Sequence, residues 1–325
     1  MENQIKILEL FGGIGAPRCA LRNIGVPVKA IDYVEIDEKA VRSYNAMFKK
    51  DLAYKTQSVV GWDLKPDILI HGSPCQDFSI AGYQKGADEG SETRSSLMWE
   101  TIRIIHQMGI WKPKVVIWEN VKNVLSKHMI HNFNRYLSEM EKMGYTNSFE
   151  ILNAMEFGLP QSRERVFTIS ILGNEYFSFD DLVRTKPRNI IDYLEKTDDE
   201  KYIVSQPSMI KKINHEGKNG IENVSVIKDF CYTITTRQMR SPNAGVIDLG
   251  NGLYRYLTEL ECWRLMGFSD EDFYNALKAN PSKQGKMNGA LYKQAGNSIP
   301  VPILEAIFSK LLLNKTQEQS QLKLF

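Results

Sequence analysis

Short apolar runs alternate with amphipathic stretches along the chain up to about Leu172. The apolar runs predict five β-strands, at Ile5 to Phe11, Ala30 to Glu35, Asp67 to His71, Val115 to Glu119 and Arg165 to Leu172. Between them, apolar residues recur at helical spacing from Leu97 to Met108 and from Phe133 to Met143, where Gly144 ends the pattern. Strands that alternate with helices are typical of a parallel sheet covered on both faces. We therefore predict an α/β fold with a doubly wound, mostly parallel sheet.

This rhythm fails after Leu172, and residues 177–252 are richer in polar side chains and turn formers. Short β-like pieces remain, such as Tyr232 to Thr236 and Ala244 to Leu249. A helical pattern returns near Thr258 to Met266 and again from Ile303 to Leu312. We predict one domain of residues 1–172 plus about 285–313, a smaller, irregular, β-rich domain from about 173 to 284, and a polar tail over 314–325.

Composition narrows the class of protein without pointing to a function. The 325 residues are 42% apolar and 25% charged, so the chain can bury one large core and a second small one. A formal net charge of +2 gives no domain-wide basic excess, so any nucleic-acid face must be local. The four cysteines lie far apart without a C-x-x-C pair, which indicates neither a disulfide framework nor a metal site. No membrane-length apolar run or signal-peptide pattern occurs, so we expect a cytoplasmic protein.

A glycine-rich turn follows the first predicted strand. It reads Phe11-Gly12-Gly13-Ile14-Gly15-Ala16 and opens a helix, where backbone N–H groups can approach a cofactor closely. The second strand ends at Glu35-Ile36-Asp37, where a carboxylate can bind the ribose hydroxyls of a nucleoside. These two features alone also fit a nicotinamide-dependent dehydrogenase, or a turn that only packs strand on helix.

A cysteine, an acid and two arginines are expected at the same edge of the sheet. Cys75 follows the third strand, beside the crevice where doubly wound sheets bind ligands, although most single cysteines are small core residues. Glu119 ends the fourth strand, and Arg163 and Arg165 point to one side of an extended backbone. A thiol, an acid and two cations that converge on one edge favour nucleophilic catalysis over four unrelated structural roles.

These ordered stretches resemble the cytosine-C5 DNA methyltransferase family, bacterial or phage type, over nearly the whole chain outside residues 173–230. The matching stretches are Phe11-x-Gly13-x-Gly15, the strand-end Glu35, Pro74-Cys75-Gln76, Glu119-Asn120-Val121, Gln161-x-Arg163-x-Arg165, Leu257-Thr258 with Arg264 to Phe268, and Gln294-x-Gly296-Asn297-Ser298. Two departures occur. Ala16 stands where glycine is common, and the aspartate that usually receives the adenine amino group is replaced, with either Ser58-Val59 or the later Asp63 as the candidate.

The resemblance implies methyl transfer from S-adenosylmethionine to C5 of a cytosine flipped out of a specific short double-stranded DNA sequence. Cys75 would add covalently to C6 of the ring, and Glu119 would act as the acid at N3. Arg165 would hold the base O2 and steady Glu119, while Arg163 would lie close to the thiol and the backbone phosphate. The residues expected to shape the pocket are Asn120 and Pro74. The same chemistry on RNA cytosine is the nearest alternative, and a catalytically silent DNA-binding module is a more distant one.

The resemblance also implies where S-adenosylmethionine would bind, with S-adenosylhomocysteine as the product. The glycine turn would lie against the methionine part, Glu35 on the ribose and Ile36 on the adenine. The full set of expected cofactor residues is Phe11, Gly13, Gly15, Glu35, Ile36, Ser58, Val59, Asn297 and Ser298. No metal is expected.

Target choice would belong to residues from about 173 to 254. The expected DNA-binding residues are Gln76, Ser79, Thr235, Arg237, Gln238 and Arg240. Arginine and glutamine can read base edges, and the same side chains can equally contact phosphates alone. We expect a monomer acting on double-stranded DNA in a bacterial or phage-infected cell, with a cognate restriction endonuclease as a possible partner.

Overall fold

The computed structural model describes residues 5–48, 53–59, 65–73, 97–213 and 224–313. Its strands are β1 Ile5–Leu10, β2 Val28–Val34, β3 Ile68–His71, β4 Val115–Val121, β5 Tyr145–Asn153, β6 Gln161–Ser162, β7 Glu164–Leu172, β8 Cys231–Tyr232, β9 Ile247–Gly250 and β10 Leu253–Arg255. The five predicted strands are confirmed as β1 to β4 and β7. The sequence missed β5 because most of its side chains are half-buried rather than buried, so it carries no continuous apolar run.

The central sheet has six strands in the order β2-β1-β3-β4-β7-β5. β1 runs parallel to β2 and β3, and β3 runs parallel to β4, whereas β7 is antiparallel to both of its neighbours. In this register Leu10 pairs with His71, which in turn pairs with Trp118. The residues that follow β1 and β3 therefore meet Glu119 at one edge of the sheet. The predicted doubly wound, mostly parallel fold is confirmed.

Side-chain alternation along the strands divides the core between the two faces of the sheet. The helices are α1 Ala16–Asn23, α2 Glu38–Met47, α3 Leu97–Gln107, α4 Ile130–Lys142, α5 Pro207–Ile210, α6 Glu259–Arg264, α7 Asp270–Ala279, α8 Gly289–Asn297 and α9 Val301–Phe308. Ile7 and Ile117 face α1, α2 and the C-terminal helices, while Leu8 and Trp118 face α3 and α4. Within the described ranges, no helix has both the length and the apolar character that crossing a membrane requires.

Helices α6 to α8 share a core with α1 and α2. The apolar side chains of Leu260, Trp263 and Phe273 lie in the same core as α1 and α2. Asp272 also forms an ion pair with Arg22 of α1, with 2.7 Å between the charged atoms. Helices α6 to α8 therefore bury their apolar faces in the core that also holds α1 and α2, while the boundary at about residue 284 stays a prediction.

A small lobe remains, which we define as residues 204–256 without 214–223. It has its own cluster of buried side chains, namely Val204, Met209, Ile213, Val224, Val246 and Tyr256. Its strands are short: β8 pairs with β6, and β9 pairs with β10. Cys231 and Ile234 of this lobe reach into the main core, so the lobe is anchored on the large domain.

Candidate active site

A cleft opens where β1, β3 and β4 end. It is lined by the turn after β1, the exit of β3, Glu119 and the start of the segment after α8, with these residues: Glu9, Leu10, Phe11, Gly12, Gly13, Ile14, Ala16, Pro17, Ile70, His71, Gly72, Glu119, Asn297, Ser298 and Ile299. The fold thus brings the expected acid Glu119 into one cleft with four of the expected cofactor residues, Phe11, Gly13, Asn297 and Ser298.

The glycine turn has a backbone that ordinary side chains rarely adopt. Gly13 and Gly15 have φ values of +55° and +78°. A Cβ on Gly15 would lie 2.5 Å from the Tyr44 ring, whereas a Cβ on Gly13 would meet nothing within 4 Å. Gly15 is therefore required for packing, and Gly13 leaves open space in the wall of the cleft.

Glu35 is held rigidly at the end of β2. One carboxylate oxygen accepts the Gly13 N–H at 3.0 Å, and the other accepts the N–H groups of Ile36 and Asp37 at 2.8 Å. Ile36 is 76% exposed. Glu35 therefore ties the glycine turn to the end of β2 and leaves an apolar side chain exposed directly beside it.

Of the two candidates for the adenine contact, the structure describes Ser58-Val59 and not Asp63. The backbone N–H of Gln57 donates to the Glu35 carbonyl at 2.8 Å, which places Ser58 and Val59 near the end of β2. Val59 is buried in the core shared by Leu10 and Leu69. Asp63 lies outside the described residues.

Glu9 lines the cleft as well, and the sequence analysis missed it. Its side chain is fully buried. One oxygen accepts the Tyr44 hydroxyl at 3.0 Å, and the other has no hydrogen-bond partner among the described residues. Burial raises the pKa of Glu9 to about 7, against the opposing effects of Arg18 and Tyr44. The available signal was a single acid among the apolar residues Ile7, Leu8 and Leu10, since such a residue needs a reason to be buried.

Glu119 and Arg165 form an ion pair at the edge of the cleft. The antiparallel register of β4 and β7 pairs Val121 with Arg165, which puts the arginine beside Glu119 on the same face. Arg165 Nε lies 3.2 Å from Glu119 Oε1, and only 12% of the Glu119 side chain is exposed. Burial raises the pKa of Glu119, while the charges of Arg165 and Arg163 act to lower it. The acid is therefore oriented and favours its protonated form more than an exposed glutamate does.

Arg163 is buried and joins three separate segments. Its guanidinium donates to the backbone carbonyls of Ile234, Gly296 and Ser298 at 2.8 to 3.0 Å. It therefore connects the small lobe to the turn after α8. The predicted contacts of Arg163 with the thiol and a phosphate remain predictions, because Cys75 lies outside the described residues.

The proposed nucleophile and its neighbours Pro74, Gln76 and Ser79 all fall in the segment 74–96, outside the described residues. The segment begins directly after Ser73, which is described. Asn120 Nδ2 donates to the carbonyl and to the hydroxyl of Ser73, each at 3.4 Å. Asn120 therefore holds the chain just before the Pro74-Cys75 pair.

The expected DNA-contacting residues of the small lobe differ in exposure. Arg237 and Arg240 are exposed and Thr235 is half-buried. Gln238 is fully buried, and its amide accepts the Ala244 N–H at 3.1 Å and donates to the Gly245 carbonyl at 3.4 Å. The structure thus corrects the expectation for Gln238: its amide braces the loop instead of facing a partner.

A mostly parallel six-stranded sheet with one reversed strand and a glycine turn at its first strand defines the Rossmann-like methyltransferase fold. The crystal structure of the S. pombe Dnmt2 methyltransferase has this fold, with a TM-score of 0.74, 20% identity, and coverage of 96% of this chain and 99% of that chain. Residues 5–313 match the family model of the C-5 cytosine-specific DNA methylase, so the chain belongs to that family.

Two relatives illustrate the membership. The Type II methyltransferase M2.ScrFI of Lactococcus lactis subsp. cremoris is 32% identical, over 94% of this chain and 99% of the relative. The Orphan methyltransferase M.SPRI of Bacillus phage SPR is 28% identical, over 98% and 100%. The protein is thus an enzyme that methylates cytosine in DNA by S-adenosylmethionine-dependent chemistry, and the dehydrogenase and silent-module alternatives are not supported.

Proposed function

We propose that the protein transfers a methyl group to C5 of a cytosine flipped out of a specific short DNA sequence, through a covalent adduct of Cys75 at C6. The observation that carries this proposal is the Glu119–Arg165 pair, whose acid lines the cleft beside the exit of β3. Cys75 follows that exit closely in the chain. A target carbon stacked inside a duplex is out of reach, so the base must leave the helix.

The covalent step follows from the electronic structure of cytosine. C5 becomes nucleophilic only after Cys75 Sγ adds to C6, while Glu119 supplies a proton to N3. When bound, the cofactor would supply an electrophilic methyl group, which C5 would take as the methyl–sulfur bond breaks, with S-adenosylhomocysteine as the leaving group. The C5 proton then leaves to water, the C6–S bond breaks, and the N3 proton returns to Glu119. The raised pKa of Glu119 favours the protonated acid that the first step needs.

The two arginines have separate tasks in this proposal. Arg165 holds Glu119 in one orientation and offers its remaining N–H groups to the cytosine O2. Arg163 supplies positive charge near the nucleophile, which favours thiolate over thiol. Pro74 shapes the base pocket, and Asn120 contributes by holding Ser73 directly before it.

The cleft fits S-adenosylmethionine. Glu9 offers a buried carboxylate oxygen without a partner among the described residues, which suits the ammonium group of the methionine part. The open space at Gly13 allows close approach of the turn that also includes Phe11 and Gly15. The remaining residues that would hold the cofactor are Glu35 at the ribose, Ile36 and Ser58-Val59 at the adenine, with Asp63 as the alternative there, and Asn297 and Ser298.

DNA recognition belongs to the small lobe and to the segment after Cys75. Arg237 and Arg240 are exposed and can bind phosphates or guanine edges. Thr235, Gln76 and Ser79 complete the proposed DNA contacts. We propose a monomer on double-stranded DNA. A restriction endonuclease for the same site is a separate hypothesis, because one relative is named a type II enzyme and another an orphan.

Trapping on DNA that carries 5-fluorocytosine at the preferred site tests the adduct. In 5-fluorocytosine, C5 carries fluorine in place of the proton that must be removed before the cysteine is eliminated. The wild-type enzyme with S-adenosylmethionine should therefore remain covalently bound. Cys75→Ala should form no adduct and transfer no methyl group, yet still bind S-adenosylhomocysteine. Cys262→Ala removes a thiol buried in α6 and should still be trapped. Substantial turnover by Cys75→Ala would contradict the assigned nucleophile.

The kind of nucleic acid is tested in a host that expresses the enzyme. We expect one short DNA motif to be methylated at a cytosine C5, read by bisulfite sequencing of the host genome. Modified tRNA together with unmodified DNA would reject DNA as the substrate.

A further inference from the structure

The two faces of β4 present different side chains at the end of the strand. Glu119 faces the cleft and its partner Arg165. Trp118 and Asn120 are two residues apart and therefore share the opposite face. Trp118 pairs in register with His71 on β3. The same strand that supplies the acid thus also reaches across to the exit of β3 on its other face.

Ser73 is the group that this other face contacts. Its side chain is nearly fully buried. The indole Nε1 of Trp118 donates to the Ser73 hydroxyl oxygen at 3.1 Å, and Asn120 Nδ2 lies 3.4 Å from the same oxygen and from the Ser73 carbonyl oxygen. The Trp118 bond is the shortest of the three. Ser73 is therefore held by Trp118 as well as by Asn120, although tryptophan is a residue usually regarded as core filling.

Aromatic packing leaves the Trp118 ring one orientation. Its centroid lies 4.3 Å from that of Tyr136 and 5.7 Å from that of Phe133, both on α4. The His71 ring lies parallel to it at 5.9 Å, and His71 Nε2 is 3.1 Å from the Tyr136 hydroxyl. Burial lowers the pKa of His71 to about 3, so this imidazole is neutral and adds no charge to the layer. The cluster can therefore hold Nε1 at a constant position.

We propose that Trp118 is a positioning residue for catalysis, which sets the place of the nucleophile by anchoring the Ser73 hydroxyl. The inference rests on the proposed role of Cys75, which follows Ser73 by two residues. Two residues span at most about 7 Å, so the position of Ser73 limits how far from it the thiol can lie. Displacement of a reacting group by about 1 Å can cost a large factor in rate. Trp118 thus affects kcat through its bond to Ser73, although its side chain contacts no substrate.

The test removes this bond from either end. Trp118→Phe keeps an aromatic ring in the layer and deletes the N–H, and Ser73→Ala deletes the acceptor. We expect each variant to lower kcat by about 5- to 20-fold, with KM for DNA and for S-adenosylmethionine within about twofold. The double variant should lose no more than Ser73→Ala alone, because deletion of the Ser73 hydroxyl already removes the Trp118 bond together with the Asn120 contact to the same oxygen.

Phe133→Leu is the matched control. It loosens the layer at the more distant ring and leaves the indole N–H, Tyr136 and His71 in place, so its kcat should fall much less than that of Trp118→Phe while its thermal stability falls. An unchanged kcat in Trp118→Phe, additive losses in the double variant, or an equal loss of kcat in Phe133→Leu would overturn the positioning role.

The trapping assay separates this inference from the proposed function. Trp118→Phe should still form the covalent adduct with 5-fluorocytosine DNA, only more slowly, because the thiol is present. If Cys75→Ala keeps its turnover, the proposed mechanism fails. If Cys75→Ala is inactive and Trp118→Phe traps at the wild-type rate, only the positioning role fails.

Discussion

At the scale of single residues, the face on which a side chain lies decides its role. Glu9 and Glu119 are acids inside apolar strands, and both line the cleft. Gln238 has the chemistry to read a base, yet its amide is used by the backbone of its own loop. Residue type therefore indicates a capability, and burial with its hydrogen-bond partners decides whether that capability faces a substrate.

Glu9 should make the free energy of unfolding fall as pH rises, whereas a carboxylate with a lowered pKa has the opposite effect. Its pKa rises from 4.5 to about 7 on folding, so the native state binds a proton more tightly than the unfolded state does. The free energy of unfolding should therefore fall by up to about 3 kcal/mol as pH rises from below 4.5 to above 7. Glu9→Gln removes this group and should gain stability relative to the wild type as pH rises.

Urea unfolding of both proteins at pH 5 and pH 8 measures the effect. The difference in unfolding free energy between the variant and the wild type should shift in favour of the variant at pH 8. If the difference in unfolding free energy between variant and wild type is the same at pH 5 and pH 8, Glu9 has the same pKa in the folded and the unfolded state.

At the scale of elements, the turn between β1 and α1 combines two kinds of glycine. Gly15 packs against Tyr44, whereas Gly13 borders open space in the cleft. Gly25, just after α1, has a φ of +74° and also meets nothing within 4 Å, but it does not line the cleft. Gly13 and Gly25 therefore share the same backbone requirement and differ in their surroundings.

This pair of glycines gives a matched prediction. Gly13→Ala and Gly25→Ala should each cost about 1 to 2 kcal/mol of stability, because alanine is strained at positive φ. Only Gly13→Ala should weaken binding of S-adenosylhomocysteine, by at least about tenfold, since its new methyl group projects into the space proposed for the cofactor. Calorimetric titration and thermal melts check both effects. Equal cofactor affinity in the two variants would place the cofactor elsewhere.

At the scale of the whole molecule, the small lobe contacts the large domain at several places, and one of these contacts is especially tight. Arg163 donates to Ile234 on one side of the joint and to Gly296 on the other. A Cβ on Gly296 would lie 2.4 Å from backbone atoms of Thr235 and Thr236, which cannot move aside as a flexible side chain could. Proposed DNA contacts and proposed cofactor contacts thus depend on the same junction.

Gly296→Ala should therefore push the Thr235–Thr236 backbone of the small lobe away from helix α8. We expect a loss of about 1 to 3 kcal/mol from overpacking and weaker DNA binding, because the small lobe shifts away from the site. Gly289→Ala, in the same helix α8, is the control: its Cβ would meet only the Met239 sulfur at 3.1 Å, at the end of a flexible side chain. Chemical denaturation and DNA titration compare the two. Equal effects of both substitutions would refute a special role of the joint.

The sequence by itself determined the parallel part of the sheet and the types of residue at its edge. Apolar runs specify β1 to β4 because buried strands need apolar side chains on both faces, and strand ends such as Glu35 and Glu119 follow from those runs. It did not reveal β5, whose side chains are mostly half-buried, or Glu9, whose role depends on what surrounds it.

Only the tertiary structure decided which distant segments meet. The packing of α6 to α8 against α1 and α2, the contact of Gly296 with Thr235, and the bond from Trp118 to Ser73 each join residues far apart in the chain. No local pattern encodes such pairs, because apolar periodicity shows that a face is buried without showing against which partner. Short stretches of sequence therefore supply the reactive residues of this enzyme, and packing between these stretches sets their geometry.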